Sequence, residues 1–335
     1  MPSLSPRPLY REIFHDAWTM VWHRRSVWIV ALGAGILQTG GIIDVLSRLL
    51  RNRLTFLTGA EVGSLAQAWQ STHSLLGLGT TTFAKVLIGL KLGQAGLLGL
   101  LFAVTVVCFA LLCQGALVYL IGARGRFSKP TLSEAFAIAR ERIWGVAILN
   151  LLPVGAYLFT WFILLSPFER FIPLQSAGAL IAYVGAIIVC LIVGFIGMSV
   201  HLLALPAIIL EGMHTEAAIK EAWTFIRSSW FTILETALLL FFIGLAIFFV
   251  SLVAFIVAVL PFLAFVGVAI VLQAPGVADM LLLLCEALFI LVMLAAGGFT
   301  IAFQYATWNR LYARMKRGMA VAKVVRVVHG ILDKL

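Results

Sequence analysis

Apolar positions dominate this chain in long unbroken runs, not in the short alternations of a half-buried strand. A helix that crosses a ~30 Å hydrocarbon core needs about 20 apolar residues. Six runs meet that length: 26–48, 95–121, 143–166, 177–210, 231–260 and 280–306. Several exceed the minimum, so tilt, kinks or extension past the hydrocarbon is expected. Pro153, Pro206 and Pro261 mark the expected kinks or ends, because proline removes a helix hydrogen bond. The stretch 260–274 is open between a re-entrant piece, an interfacial piece and a seventh span. The expected fold is all-α: a polytopic membrane domain of about six spans over residues 1–318.

Between the runs lie segments with apolar residues at helical spacing. IFHDAWTMVWHRRSVW (13–28), TLSEAFAIARERIW (131–144) and TEAAIKEAWTFIRSSW (215–230) each carry acidic residues and Ala and close on a Trp before a span. Phe14, Trp18 and Val21 share one face of the first; Leu132, Phe136, Ala139 and Ile143 of the second; Ile219, Trp223, Ile226 and Trp230 of the third. Thr131-x-x-Glu134 has the form of a capping box. These segments read as amphipathic helices on the membrane surface, with Trp18, Trp144, Trp223 and Trp230 at its edge. The even spans repeat as well. Gln114, His201 and Gln304 each lie ten residues before a charged exit, at Arg124, Glu211 and Arg314. The unit of surface helix plus two spans is thus expected three times. Residues 319–335 form a last amphipathic helix, with Val324, Val328 and Leu332 on one face and Lys323 and Arg326 on the other. It would pack on the bundle or bind the lipid surface.

Composition narrows the class. Of 335 residues, 62% are hydrophobic and 11% charged, against about 45–50% and 25% in soluble domains. A soluble enzyme, a disordered tail and a secreted disulfide scaffold are excluded. The net charge of +10 would point to nucleic acid in a soluble protein. Here the basic residues flank apolar runs, so anionic lipid headgroups are the expected partner and nucleic acid is not. With six spans, eighteen Lys and Arg fall on the side of the termini and six on the other. The positive-inside rule then puts both termini in the cytoplasm of an inner (plasma) membrane protein. The N-terminal MPSLSPRPLYREIF is not read as a cleavable signal peptide. Cys108, Cys113, Cys190 and Cys285 lie inside apolar runs without metal-binding spacing.

QGALVYLIGARGRFSKPTLSEAF, LPAIILEGMHTEAAIKEAWTFIRSSW and FQYATWNRLYARM, each bordering a span, together resemble the membrane-domain family found ahead of glycerophosphodiester phosphodiesterases. The chain is also similar to the YciC-like uncharacterised inner-membrane proteins. The likeness runs from about residue 10 to 316. It implies a six-helix inner-membrane domain linked to lipid metabolism or envelope homeostasis, and it implies no catalytic residues.

Polar residues inside spans are functional candidates by default. Gln114, Asn150, His201, Glu235 and Gln304 fall at similar depth and are expected to form one polar layer. That layer would hold a cation or a lipid headgroup, or would fix helix packing by hydrogen bonds of about 0.6 kcal/mol each. His201 is expected to approach Glu235, and Gln114 to pair with Asn150. Glu286, seven residues after Asp279, is a candidate proton or cavity site. No GxSxG, HExxH or Walker motif occurs, and no metal or cofactor is expected. The leading expectation is a non-catalytic membrane protein acting with lipids as a scaffold or envelope factor. The alternative is a small transporter or channel.

Overall fold

Long apolar runs leave a chain one way to satisfy its backbone in lipid, by hydrogen bonding within helices. A computed structural model describes residues 9–38, 94–123, 130–167 and 177–318, and there every element is helical. In chain order they are α1 (Leu9–His23), α2 (Arg25–Gln38), α3 (Gln94–Gly122), α4 (Leu132–Glu141), α5 (Ile143–Thr160), α6 (Ala177–Glu211), α7 (Thr215–Val271) and α8 (Pro275–Lys316). A single π-helical turn, Trp161–Leu165, extends α5. Helices α3 and α5 to α8 are each long and apolar enough to cross a membrane, so the chain is an all-α, multi-pass membrane protein. The described part of the first expected span is helical too, as α2. The rest of that span, the 319–335 segment and its Lys323 and Arg326 lie outside the described residues.

The three amphipathic segments are helices, and each is set off from the apolar helix after it by one residue. Arg24 separates α1 from α2. Arg142, at φ −110° and ψ 14°, separates α4 from α5. Ser229, at φ −138° and ψ 32°, breaks α7 where its amphipathic part meets its apolar part. The prolines end no helix. Pro153, Pro206 and Pro261 sit inside helices, and the non-helical residue of α7 is Ser229. Residues 260–271 are accordingly neither re-entrant nor a separate span but the continuation of α7. The chain then turns at Gln273, whose φ is +53°, and returns as α8. The capping box is half made. Thr131 accepts from the Glu134 backbone N–H at 3.3 Å, but the Glu134 carboxylate accepts from the Tyr119 hydroxyl instead of turning back.

Helices α3 and α8 are the hubs: α3 packs against α2, α4, α5, α6 and α8, and α8 against α1, α2, α3, α6 and α7. Burial is concentrated at the end of the bundle where α3 and α6 finish. There every residue from Ser199 to Ile209 is buried, as are Ala116 to Ile121 and Ile301 to Phe303. Toward the other end α6, α7 and α8 present Leu, Ile, Val and Phe outward, as lipid-facing helices do. Small residues allow the closest crossings. A Cβ on Gly298 of α8 would lie 2.9 Å from the Trp28 carbonyl oxygen of α2 and 3.1 Å from Leu32. Because the obstacle is backbone, Gly298→Ala is expected to cost about 1–3 kcal/mol. Gly267→Ala, with nothing within 4 Å, is expected to leave the melting temperature unchanged or raise it. Thermal melts of the two variants in detergent check this pair.

Candidate functional site

Four helices meet at one polar point. Gln114, in the C-terminal third of hub helix α3, is 0% exposed, and His201 of α6 is 1% exposed. Asn150 Nδ2, from α5, donates to Gln114 Oε1 at 2.6 Å and to the Val146 carbonyl at 2.8 Å. Gln114 Nε2 donates to the Tyr305 hydroxyl of α8 at 2.6 Å and to His201 Nε2 at 3.1 Å. His201 Nδ1 donates to the Leu149 carbonyl at 3.0 Å. A carbonyl only accepts and an amide N–H only donates, so these contacts fix the Nδ1–H tautomer. A second ring proton on Nε2 would face the Gln114 N–H head on. The Gln114–Asn150 pair expected from the sequence is therefore made. The expected His201–Glu235 bond is not the one that His201 makes, since both of its ring nitrogens are engaged by Gln114 and Leu149.

The other candidates lie apart from this point. Glu235 on α7 is partly buried, five residues past Trp230. Gln304 on α8 lines an outer groove between α6, α7 and α8. Glu286 is partly buried in the lipid-facing half of α8, and Asp279 precedes it by two turns of the same helix. The five-residue layer thus resolves into a closed knot of Gln114, Asn150 and His201, joined by Tyr305, with Gln304 in a separate place. Sequence reasoning passed over Tyr305 because an aromatic residue in a span reads as packing.

At the charged end of the bundle, side chains tie helix ends together. Arg142, the breaking residue between α4 and α5, donates through Nη1 to the Ile208 carbonyl and, at 2.7 Å, to the Ile209 carbonyl. These carbonyls lie at the C-terminus of α6, where the dipole favours a cation; Ile208 also accepts the Gly212 N–H at 3.2 Å, whereas the Ile209 carbonyl is among those a helix end leaves over. Gly212 then turns the chain at φ +75°, and a Cβ there would sit 3.0 Å from the same guanidinium. Lys316 pairs with Glu211 and, at 3.3 Å, with Glu221. Tyr312 donates to Glu221 at 3.3 Å, and Arg314 pairs with Glu12 of α1 at 2.5 Å. Helix α1 is also held by rings: Trp18 meets Phe299 edge-on at 4.8 Å, and Phe14 stacks on Phe303 at 6.0 Å. The exposed Trp144 and Trp230 face outward, as does the half-exposed Trp223 with Arg227 over its ring. Sequence reasoning also missed Arg142, because Arg140 and Arg142 both read as surface charges of an amphipathic segment.

Among the described residues no three His, Cys, Asp or Glu side chains gather into a group able to hold a metal ion. Comparison with protein-family models, with curated proteins and with solved structures finds no match.

Proposed function

We propose that this chain is a non-catalytic integral membrane protein that works on or with lipids, as a scaffold or envelope factor. The observation that carries the reading is the closure of the polar knot. Gln114 and His201, the deepest polar side chains of α3 and α6, spend their hydrogen-bonding groups on one another, on Asn150, on Tyr305 and on a backbone carbonyl. A transport path needs polar groups that can exchange partners with a passing solute. Here they hold four helices in register inside a packed core.

In this reading the charged end faces the cytoplasm of an inner membrane, in line with the eighteen-to-six division of basic residues. The three amphipathic helices lie along that leaflet, with Trp144, Trp223 and Trp230 at the headgroups. The recurring break at Arg24, Arg142 and Ser229 supports a threefold unit of surface helix and spans. The resemblance to the membrane domains found ahead of glycerophosphodiester phosphodiesterases fits the same lipid-linked role.

The test is reconstitution into vesicles of phosphatidylethanolamine and phosphatidylglycerol. Proton and monovalent-cation flux is expected to stay at the level of protein-free vesicles. Native mass spectrometry of the purified protein is expected to show retained phospholipid. A saturable flux abolished by His201→Phe would overturn the scaffold reading in favour of transport.

A further inference from the structure

Trp308 is 3% exposed, and its indole Nε1 is buried with no hydrogen-bond partner among the described residues. A buried N–H left unpaired costs about 1–3 kcal/mol, and native structures rarely keep one without a reason. The indole borders a groove of about 470 Å³ between α6, α7 and α8, within the roughly 300–1,000 Å³ range of ligand pockets. The groove is graded along its length. Toward the charged end its wall includes Trp308 and Gln304, one helical turn apart on α8. Deeper, the wall is Phe195, Leu245 and Phe248. Its α7 wall runs from Ala237 to Phe248, about 16 Å of helix. Phe241 and Phe248, along its outer edge, are 63% and 45% exposed on the outside of the bundle, so the groove opens sideways toward lipid over its whole length.

A long, narrow, laterally open groove, with donors at the interfacial end and aromatic and aliphatic walls beyond, has the polarity profile of one molecule in its surroundings. We propose that it seats a single acyl chain of a membrane phospholipid, with the ester carbonyl accepting from the Gln304 amide and, once the bound chain parts the side chains that cover it, from Trp308 Nε1. Water at the interfacial end can partner Trp308 and Gln304 but leaves the space between Phe195, Leu245 and Phe248 unfilled. A soluble metabolite would have to enter through lipid. The proposal rests on the lipid-associated reading above and gives it a site.

Two substitutions separate the groove from general lipid contact. Gly244 borders it with only Thr300 Cγ2 nearby, 3.8 Å from a Cβ position, so Gly244→Leu fills the space and also favours the helix. Trp308→Phe keeps a ring and removes the donor. The probe is phosphatidylglycerol carrying a diazirine in its acyl chain, mixed into phosphatidylethanolamine–phosphatidylglycerol nanodiscs holding the full chain, with crosslinks mapped by mass spectrometry. In the parent protein, labels should concentrate on peptides around residues 195–202, 237–248 and 300–308. Gly244→Leu should reduce that labelling by about tenfold and Trp308→Phe by about three- to tenfold. Labelling of the outward-facing 180–192 stretch of α6 and the melting temperature of Gly244→Leu should not fall.

Labels spread evenly over every outward-facing helix, or groove labelling indifferent to Gly244→Leu, would overturn the proposal. If native mass spectrometry still retained phospholipid in that case, only the groove would fail. Retention of no phospholipid by the parent protein would overturn the lipid-associated reading with it.

Discussion

A Gln114→Leu variant is expected to lose about 2–3 kcal/mol of stability, the largest effect of any single polar substitution in the spans. The change removes three hydrogen bonds at once. It leaves His201 Nε2 facing an apolar side chain, takes one of two acceptors from Asn150 and one contact from Tyr305. Leucine is a little bulkier than glutamine and branched at Cγ, so lost polarity is the main cost and a small repacking cost adds to it. The same logic predicts coupling. Adding His201→Phe to Gln114→Leu removes the group that the first change orphaned, so the double variant should lose less than the two single losses combined, by about 0.5–3 kcal/mol. Thermal melts in detergent give the comparison. Strict additivity would mean that the knot is not energetically one unit.

Arg142→Ala is expected to cost a similar amount, about 2–4 kcal/mol, from the opposite end of the architecture. The guanidinium serves two carbonyls whose own residues, Ile208 and Ile209, are almost wholly buried. Charge-assisted bonds of this kind are each worth about 1.5–3 kcal/mol, and water has poor access to replace them. Arg142→Lys should recover only part of the loss, since an ammonium is a point charge and lacks the planar fork. The measurement is a melt paired with limited proteolysis. The α6–α7 link at Gly212–His214 should become cleavable in Arg142→Ala at temperatures where the parent resists. An unchanged cleavage pattern would show that the α6 terminus is held by other groups.

Much of the architecture is visible in the sequence because lipid imposes a single rule on the backbone. The expected starts at 95, 143 and 177 fall within a residue of the helices Gln94–Gly122, Ile143–Thr160 and Ala177–Glu211. The amphipathic segments stand out for the same reason, since their period differs from that of their neighbours. Of the two roles expected of proline, that of helix end is not taken: Pro206 lies in the most buried part of α6, inside the helix. Ser229, which carries no strong propensity, makes the break. The site was half legible. Matching depth brought Gln114 and Asn150 together correctly, but depth carries no angular information. Gln304 therefore points away from the knot into the outer groove, while Tyr305, the next residue, enters it.

The knot also sets an order of events during synthesis. Gln114 enters the bilayer before any of its partners exists. Asn150 follows 36 residues later, His201 87 and Tyr305 191. At about 5–20 residues per second, the last partner is made roughly 10–40 s after the first group. Over that interval the amide is satisfied by stages, first by α5, then by α6, and finally by α8, so α3 can lock only once the chain is nearly finished. Nascent chains halted before α8 would hold an amide with a missing partner in the membrane, a state that quality-control proteases are placed to find.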